Sequence, residues 1–407
     1  MPSQTMQLHI DLEKKYGAFN YKPLPVVLHK GEGVFVYDTE GNKYFDFLSA
    51  YSAVNQGHCH PKIINALQEQ AKLLTLTSRA FYNDRLGEFE QKITSIFGFD
   101  RVLPMNTGVE ACESAVKLAR KWGYEVKGVA PNQAVVVFAE GNFWGRSIAA
   151  ISASTDPSSY TNFGPFVPGF EKIPYNNIEA LEKRLQNPNV VAFMAEPIQG
   201  EAGVIIPDEG YLKSVKELCQ KHNVLFIADE VQTGIGRTGK MLACDHEDIK
   251  PDVLVLGKAL GGGVFPVSAV LTSDEVMLTL KPGQHGSTFG GNPIACAVAM
   301  AALDVILDEK LADNAEKMGT IFRQRMQSIQ SPLIRKVRGK GLLNALEIEP
   351  FGTNGTAEDV CYALLKNGLL AKQTHGDTIR FAPPLVIGES EMHEACDCIE
   401  KTILSLS

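Results

Sequence analysis

Between residues 134 and 272 short apolar runs recur: AVVVFA from Ala134, VVAFMAEP from Val190, VLFIADE from Val224, DVLVLGK from Asp252 and VSAVLT from Val267. They are apolar at nearly every position rather than at alternate ones, the pattern of strands covered on both faces. Segments of helical period lie between them. GYLKSVKELCQKHN, for example, places Leu212, Val215, Leu218 and Cys219 on one stripe. This alternation predicts an α/β unit built on a mostly parallel central sheet.

The two ends carry other patterns. GVFVYDTEGNKYFDF reads as two short strands around a Glu40-Gly41 turn, a hairpin outside the central sheet. After about residue 300, AALDVILDEKLADNAEKMGTIFRQRMQSI reads as one long helical stretch, followed by VRGKGLLNALEIE, TIRFAPPL and a terminal helix. We expect an N-terminal segment over 1–50, a large domain over 51–300 and a small α+β domain over 301–407, with the N-terminal segment on the small domain's side. Repeats, low-complexity tracts and polar linkers are missing from the sequence.

Composition narrows the function. A chain of 407 residues with 44% apolar and 21% charged residues can bury a large core. A net charge of -8 and a pI near 5.7 offer no basic surface for a polyphosphate, which argues against nucleic acid. A mean hydropathy of -0.05 and the lack of long apolar runs argue against a membrane protein. The first arginine is Arg79 and acidic residues come early, unlike a mitochondrial presequence, so the cytoplasm is expected, or a matured form that has lost its presequence. The eight cysteines show no paired spacing and read as reduced thiols. His58-Cys59-His60 reads as a turn rather than a metal site, and no metal is expected.

The stretch LFIADEVQTGIGRTGK contains Gly234, Gly236 and Gly239 in the spacing of a dinucleotide loop. The context is wrong for nucleotide: EVQT separates the strand from the first glycine, and Met241 follows Lys240 where a P-loop needs Ser or Thr. We expect a surface turn there. The informative residues are Asp229, which ends one apolar strand, and Lys258, which ends the next. Both fall at the carboxyl edge of the sheet, where open α/β folds bind ligands. A desolvated lysine attacks carbonyls, and a buried aspartate can hold a pyridine nitrogen protonated, the two contributions that pyridoxal phosphate chemistry needs. An Asp-Lys salt bridge at the sheet edge would have the same spacing. Thr107-Gly108-Val109 before a helix offers a hydroxyl cap and free N–H groups, a seat for a phosphate or an ordinary N-cap.

AEPIQGEAGVIIP, FIADEVQTGIGRTGK, VLGKALGGG and STFGGNP together resemble the class III, fold-type I pyridoxal-phosphate aminotransferases, and the likeness runs from about residue 20 onward. NYKPLPVVLHKGEGVFVYDTEGNKYFDFLSAYSAVNQGHCHPKI and EGNFWGRS are similar to the members of that family that act on ornithine. The resemblance implies a large domain with a mostly parallel sheet and a smaller domain built from both ends of the chain. It also implies a homodimer with shared active sites, possibly within a higher oligomer. Pyridoxal 5'-phosphate would be the cofactor. By resemblance Lys258 is the Schiff-base and proton-transfer residue and Asp229 pairs with the ring nitrogen. Gln232 bonds the phenolic oxygen and Phe143 stacks on the ring. Thr107, Gly108 and Val109 bind the phosphate, with Thr288 reaching it from the other subunit.

For the substrates, the resemblance implies that Tyr21 and Arg146 hold the α-amino acid end of ornithine. Arg380 would grip 2-oxoglutarate, Glu201 would cover Arg380 by pairing with it while ornithine reacts, and Tyr51 would line the pocket. The alternatives are an acetylornithine or 4-aminobutyrate aminotransferase, sharing Lys258, Asp229 and Arg380, and a non-catalytic binding protein on the same fold.

Overall fold

A computed structural model describes residues 3–407. Its centre is a seven-stranded sheet in the spatial order Arg101–Met105, Ser268–Thr272, Val253–Leu256, Leu225–Asp229, Val190–Ala195, Val135–Ala139 and Phe170–Ile173. The last five are mutually parallel, and Ser268–Thr272 runs antiparallel to both of its neighbours. The central strands are buried at every position, as their unbroken apolar runs require. Successive side chains serve opposite faces: Leu225 and Ile227 join the core that contains Ala115, Leu118 and Trp122, whereas Phe226 and Ala228 join the core with Val215 and Cys219. The helix Gly108–Glu125 lies so close to the sheet that a Cβ on Gly123 would sit 2.2 Å from Val191 Cγ1, so only glycine fits.

The N-terminal hairpin forms as expected, Phe35–Asp38 against Lys43–Asp46, with Gly41 at φ +84° in the turn. Leu28–Glu32 adds a third strand, and Leu369–Leu370 from the far end of the chain pairs parallel to Lys43–Asp46. The C-terminal sheet runs Ile334–Lys340, Leu343–Ile348, Thr378–Phe381, Lys372–Gln373. The single long helix expected after residue 300 is two, Pro293–Asp308 and Leu311–Ser328, because Lys310 takes φ +50° and breaks the ladder.

The glycine loop is also a correction. Gly234 to Gly239 is wholly buried rather than a surface turn. A Cβ on Gly239 would meet Glu316 Oε2 at 2.4 Å, and one on Gly341 would meet the Thr238 carbonyl carbon at 2.3 Å. The glycines are there so that this loop and the C-terminal region can touch backbone to backbone.

Candidate active site

Asp229 stands opposite Val255 on the neighbouring strand, and the chain beyond Val255 leaves the sheet through Gly257 to Lys258. Lys258 opens a 3-10 turn, Lys258–Gly261, with φ +43°. An L-residue held there stores on the order of 1–3 kcal/mol, a strain that concentrates at functional sites. Asp229 is buried; its Oδ1 accepts from Val231 N at 3.0 Å, and Cys112 Sγ lies 3.6 Å from Oδ2. Burial pushes the Asp229 carboxyl up, against the pull of the Val231 N–H and Lys258. Burial, and then Arg380, push the Lys258 amine down to about 8, with Asp229 and Glu196 pulling the other way.

The helix Gly108–Glu125 begins at the same point. Thr107 and Glu110 form a capping box: Thr107 Oγ1 accepts from Glu110 N and Glu110 Oε2 accepts from Thr107 N. Ser268 Oγ donates to the Thr107 carbonyl at 2.7 Å and fixes the turn to the sheet. The N–H groups of Gly108 and Val109 find no partner among the described residues and are free for an anion. Val231 gathers the three segments. A Cβ on Gly108 would lie 3.1 Å from its Cγ1, and one on Gly257 would lie 3.3 Å from that methyl and 3.6 Å from Gly108 Cα. A low-pKa amine, a buried carboxylate and a free helix N-terminus thus converge, which fits pyridoxal phosphate in its carbonyl, ring nitrogen and phosphate.

Phe143 and Gln232 are each held from behind. Glu196, 4% exposed, accepts from Phe143 N at 3.0 Å and from Gly200 N at 3.2 Å, and burial followed by the nearby Asp229 pushes it up to about 8. A Cβ on Gly200 would meet Gln232 Oε1 at 2.5 Å, so the Gly200 position must stay bare for Gln232 to lie there.

Arg380 is 1% exposed. Its Nη1 donates to Gln232 Oε1 at 2.5 Å and its Nη2 to Ser52 Oγ at 2.7 Å, while Nε has no partner among the described residues. Ser52 comes from an unusual turn: Ser49, Ala50, Tyr51 and Ser52 all have positive φ, a single left-handed turn, capped by Asp46 Oδ1, which accepts from the N–H groups of Leu48 and Ser49 at 2.9 Å. That turn carries the Tyr51 ring to 5.9 Å from the Arg380 guanidinium. The expected pairing of Glu201 with Arg380 is not the arrangement found: both Nη groups are taken by neutral oxygens, and Glu201 sits in a tight turn whose carbonyl accepts from Thr374 Oγ1 at 2.5 Å. Glu201 is still the strongest anionic influence on Arg380, and after burial it is the largest cause of the raised Tyr51 hydroxyl.

Arg146 donates to Ser159 Oγ at 3.0 Å and lies 5.4 Å over the Phe143 ring. Tyr21 is 76% exposed. Thr288 is exposed on the loop whose Ser287 Oγ accepts from Asn106 Nδ2 at 2.8 Å. Sequence reasoning gave no role to Glu196 or Ser52. Glu196 stands inside a quoted motif, and an acid directly after a wholly apolar strand was the available signal; Ser52 had none.

The Lys258 amine yields a test. Its proton leaves at about 8 in the folded chain against 10.5 for an ordinary lysine, so between those values the unfolded chain binds more protons. Burying Lys258 therefore costs stability at neutral pH, at most on the order of 3 kcal/mol, and the cost fades as pH rises through that window. In the cofactor-free protein, Lys258→Met should melt higher than wild type at pH 7, with the gap shrinking towards pH 10. Calorimetric melts at both pH values check this, and a gap independent of pH would contradict the assignment.

Comparison with known proteins gives a consistent result. Residues 16–403 match the family model "Aminotransferase class-III". The chain is 64% identical over 394 residues to the mitochondrial ornithine aminotransferase of Drosophila melanogaster, covering 97% of this chain and 91% of that protein. The structure of the ornithine aminotransferase from Toxoplasma gondii, described with partial occupancy of pyridoxal phosphate at its active site, superposes with a TM-score of 0.97 at 51% identity, covering 99% of this chain and 95% of that one. The acetylornithine aminotransferase from Elizabethkingia anophelis superposes with a TM-score of 0.90 at 60% identity, covering 98% of this chain and 99% of that one.

Proposed function

The chain belongs to the class-III aminotransferase family, and from that premise we propose that it transfers the δ-amino group of L-ornithine to 2-oxoglutarate. The products are glutamate and glutamate 5-semialdehyde, which cyclises to pyrroline-5-carboxylate. One observation carries the two-substrate reading: Arg380 is a buried cation in the crevice of Lys258 with, among the described residues, no anion bonded to it and one N–H unused. Such a site is completed by a carboxylate.

Pyridoxal phosphate, when bound, supplies a ring that draws electrons from the carbon losing its proton. Lys258 would take that proton from the amine-bearing carbon of the substrate and return it at the cofactor's C4′, a task suited to an amine that is neutral above about pH 8. Asp229 would hold a proton at the ring nitrogen through an attraction between opposite charges that the water-excluded site strengthens. Gly108 and Val109 donate to the phosphate, with the Thr107 turn closing that end. Gln232, whose Oε1 is engaged by Arg380, keeps its Nε2 for the phenolic oxygen. Phe143 stacks on the ring, fixed by Glu196.

Tyr21 and Arg146 receive the α-amino and α-carboxylate groups of ornithine, leaving the δ-amine to reach Lys258. Tyr51 walls the pocket between them and Arg380. Glu201 acts as a mobile screen that swings onto Arg380 while ornithine reacts. Glu201→Ala should speed the half-reaction of glutamate and slow that of ornithine, shifting their ratio by about tenfold or more, since charged contacts of this kind are worth on the order of 1.5–3 kcal/mol. Single-turnover rates for both amino acids decide it; an unchanged ratio leaves Glu201 a structural role only.

A second reading is acetylornithine transamination, favoured by the name of the Elizabethkingia structure. Acetylation removes the α-ammonium that Tyr21 would meet. Half-reactions with ornithine, N-acetylornithine and 4-aminobutyrate, followed spectroscopically, separate the readings, and a rate with acetylornithine above that with ornithine would reverse our assignment.

The active unit is a homodimer in which Thr288 serves the partner's phosphate; its exposure on a tethered loop beside Phe289, 52% exposed, supports this. Cofactor should then stabilise the dimer by linkage. Sedimentation of the cofactor-loaded form should give no active monomer, and a fully active one would refute the shared site. All eight cysteines are free, which suits a reducing compartment; the cytoplasm is our proposal, although the fly relative is named mitochondrial.

A further inference from the structure

Arg237, at the centre of the buried glycine loop, is wholly buried and bonded to no carboxylate among the described residues. Its Nη2 donates to Asn55 Oδ1 at 2.6 Å, and its Nη1 to the carbonyls of Leu342 at 2.9 Å and Pro383 at 2.7 Å. Its own carbonyl accepts from Leu342 N at 3.0 Å, and Asn55 Nδ2 returns a bond to the Ile235 carbonyl at 2.9 Å. Asp46, the one carboxylate that influences it, is already occupied by His58 and by the N–H groups of Leu48 and Ser49. A charge buried among neutral acceptors is a costly way to fill space. A guanidinium is distinguished by reaching several acceptors at once in a fixed plane.

The acceptors are informative by position. Asn55 lies three residues after Ser52, and Pro383 three residues after Arg380. Between them, Ala382 N donates to the Phe47 carbonyl at 2.7 Å and Leu385 N to the Asn55 carbonyl at 2.8 Å. Arg237 thus ties together the two segments whose side chains meet in the Ser52–Arg380 hydrogen bond. We infer that Arg237 is a positioning residue for Arg380: by holding Asn55 and Pro383 it sets the spacing of the carboxylate seat, and so tunes affinity for the dicarboxylate substrate more than for ornithine. Its positive charge, close enough to act on Arg380, also favours an incoming anion there. The inference rests on the reading of Arg380 as the seat of 2-oxoglutarate.

The test uses cofactor-loaded, full-length protein and glutarate, an unreactive dicarboxylate, as the probe. Calorimetric titration of Arg237→Lys and Asn55→Ala should show glutarate binding weakened by about tenfold or more, as expected when a charge-assisted contact is lost or displaced. Single-turnover rates with ornithine should fall by less than about threefold, because glutarate binding is set by one to two charged contacts that ornithine does not use. Equal losses for both ligands would make Arg237 a general structural strut and overturn the inference, as would unchanged glutarate affinity. Should Arg237→Lys not fold, Asn55→Ala alone decides, since it removes the acceptor and leaves the arginine. Arg380→Lys is the control: if it leaves glutarate affinity intact, the carboxylate seat itself is misassigned, which is a different failure.

Discussion

Lys258→Ala should lower turnover by at least on the order of 10⁴-fold, because in the mechanism we propose one residue supplies both the covalent attachment and the proton transfer. The surroundings do not offer a substitute. Asp229 and Glu196 are buried acids, and Arg380 stays cationic even though burial lowers it to about 10. Cofactor should still bind, since the free N–H groups of Gly108 and Val109 and the Asp229 carboxylate remain, but borohydride should no longer fix it to the chain. Absorbance and mass spectrometry of the reduced protein check both points. A borohydride-stable adduct in this variant would place the attachment on another lysine.

Arg380→Met is the second large effect. It removes the cation bonded to Gln232 and Ser52 and leaves their oxygens facing a buried apolar chain. Losing a buried, hydrogen-bonded charge opposite a carboxylate costs about 2–5 kcal/mol. The kcat/KM for 2-oxoglutarate should therefore fall by about 30- to 4,000-fold. The single-turnover rate with ornithine, whose α-carboxylate we place at Arg146, should fall by less than about tenfold. Parallel losses in the two half-reactions would show that Arg380 does not distinguish the substrates.

Much of the scaffold was legible. Strands buried on both faces leave unbroken apolar runs, and the five runs read from the sequence coincide with sheet strands. Arg101–Met105 was not legible, because an edge strand tolerates a charge and a proline that would argue against a central one: Pro104 pairs with Ala269 at the sheet's rim. The break at Lys310 was hidden for another reason. Glu309 and Lys310 continue a helical period perfectly well, and only packing sets the φ of +50° that separates the two helices.

What the sequence determined by itself was local: which runs are apolar throughout, which residue ends each strand, and which hydroxyl precedes a helix. Those features placed Asp229 and Lys258 at the carboxyl edge of the sheet and Thr107 at the start of a helix. Tertiary structure decided everything that depends on residues distant in sequence. Ser52 and Arg380 are 328 positions apart, and Asn55 and Arg237 are 182 apart. The glycine loop carried the same local signal whether it lay on the surface or inside. It is buried because Gly239 and Gly341 allow two backbones to touch, and Arg237 then finds neutral acceptors on both sides. A turn's conformation is written in its own residues, whereas its burial depends on what the rest of the chain brings against it.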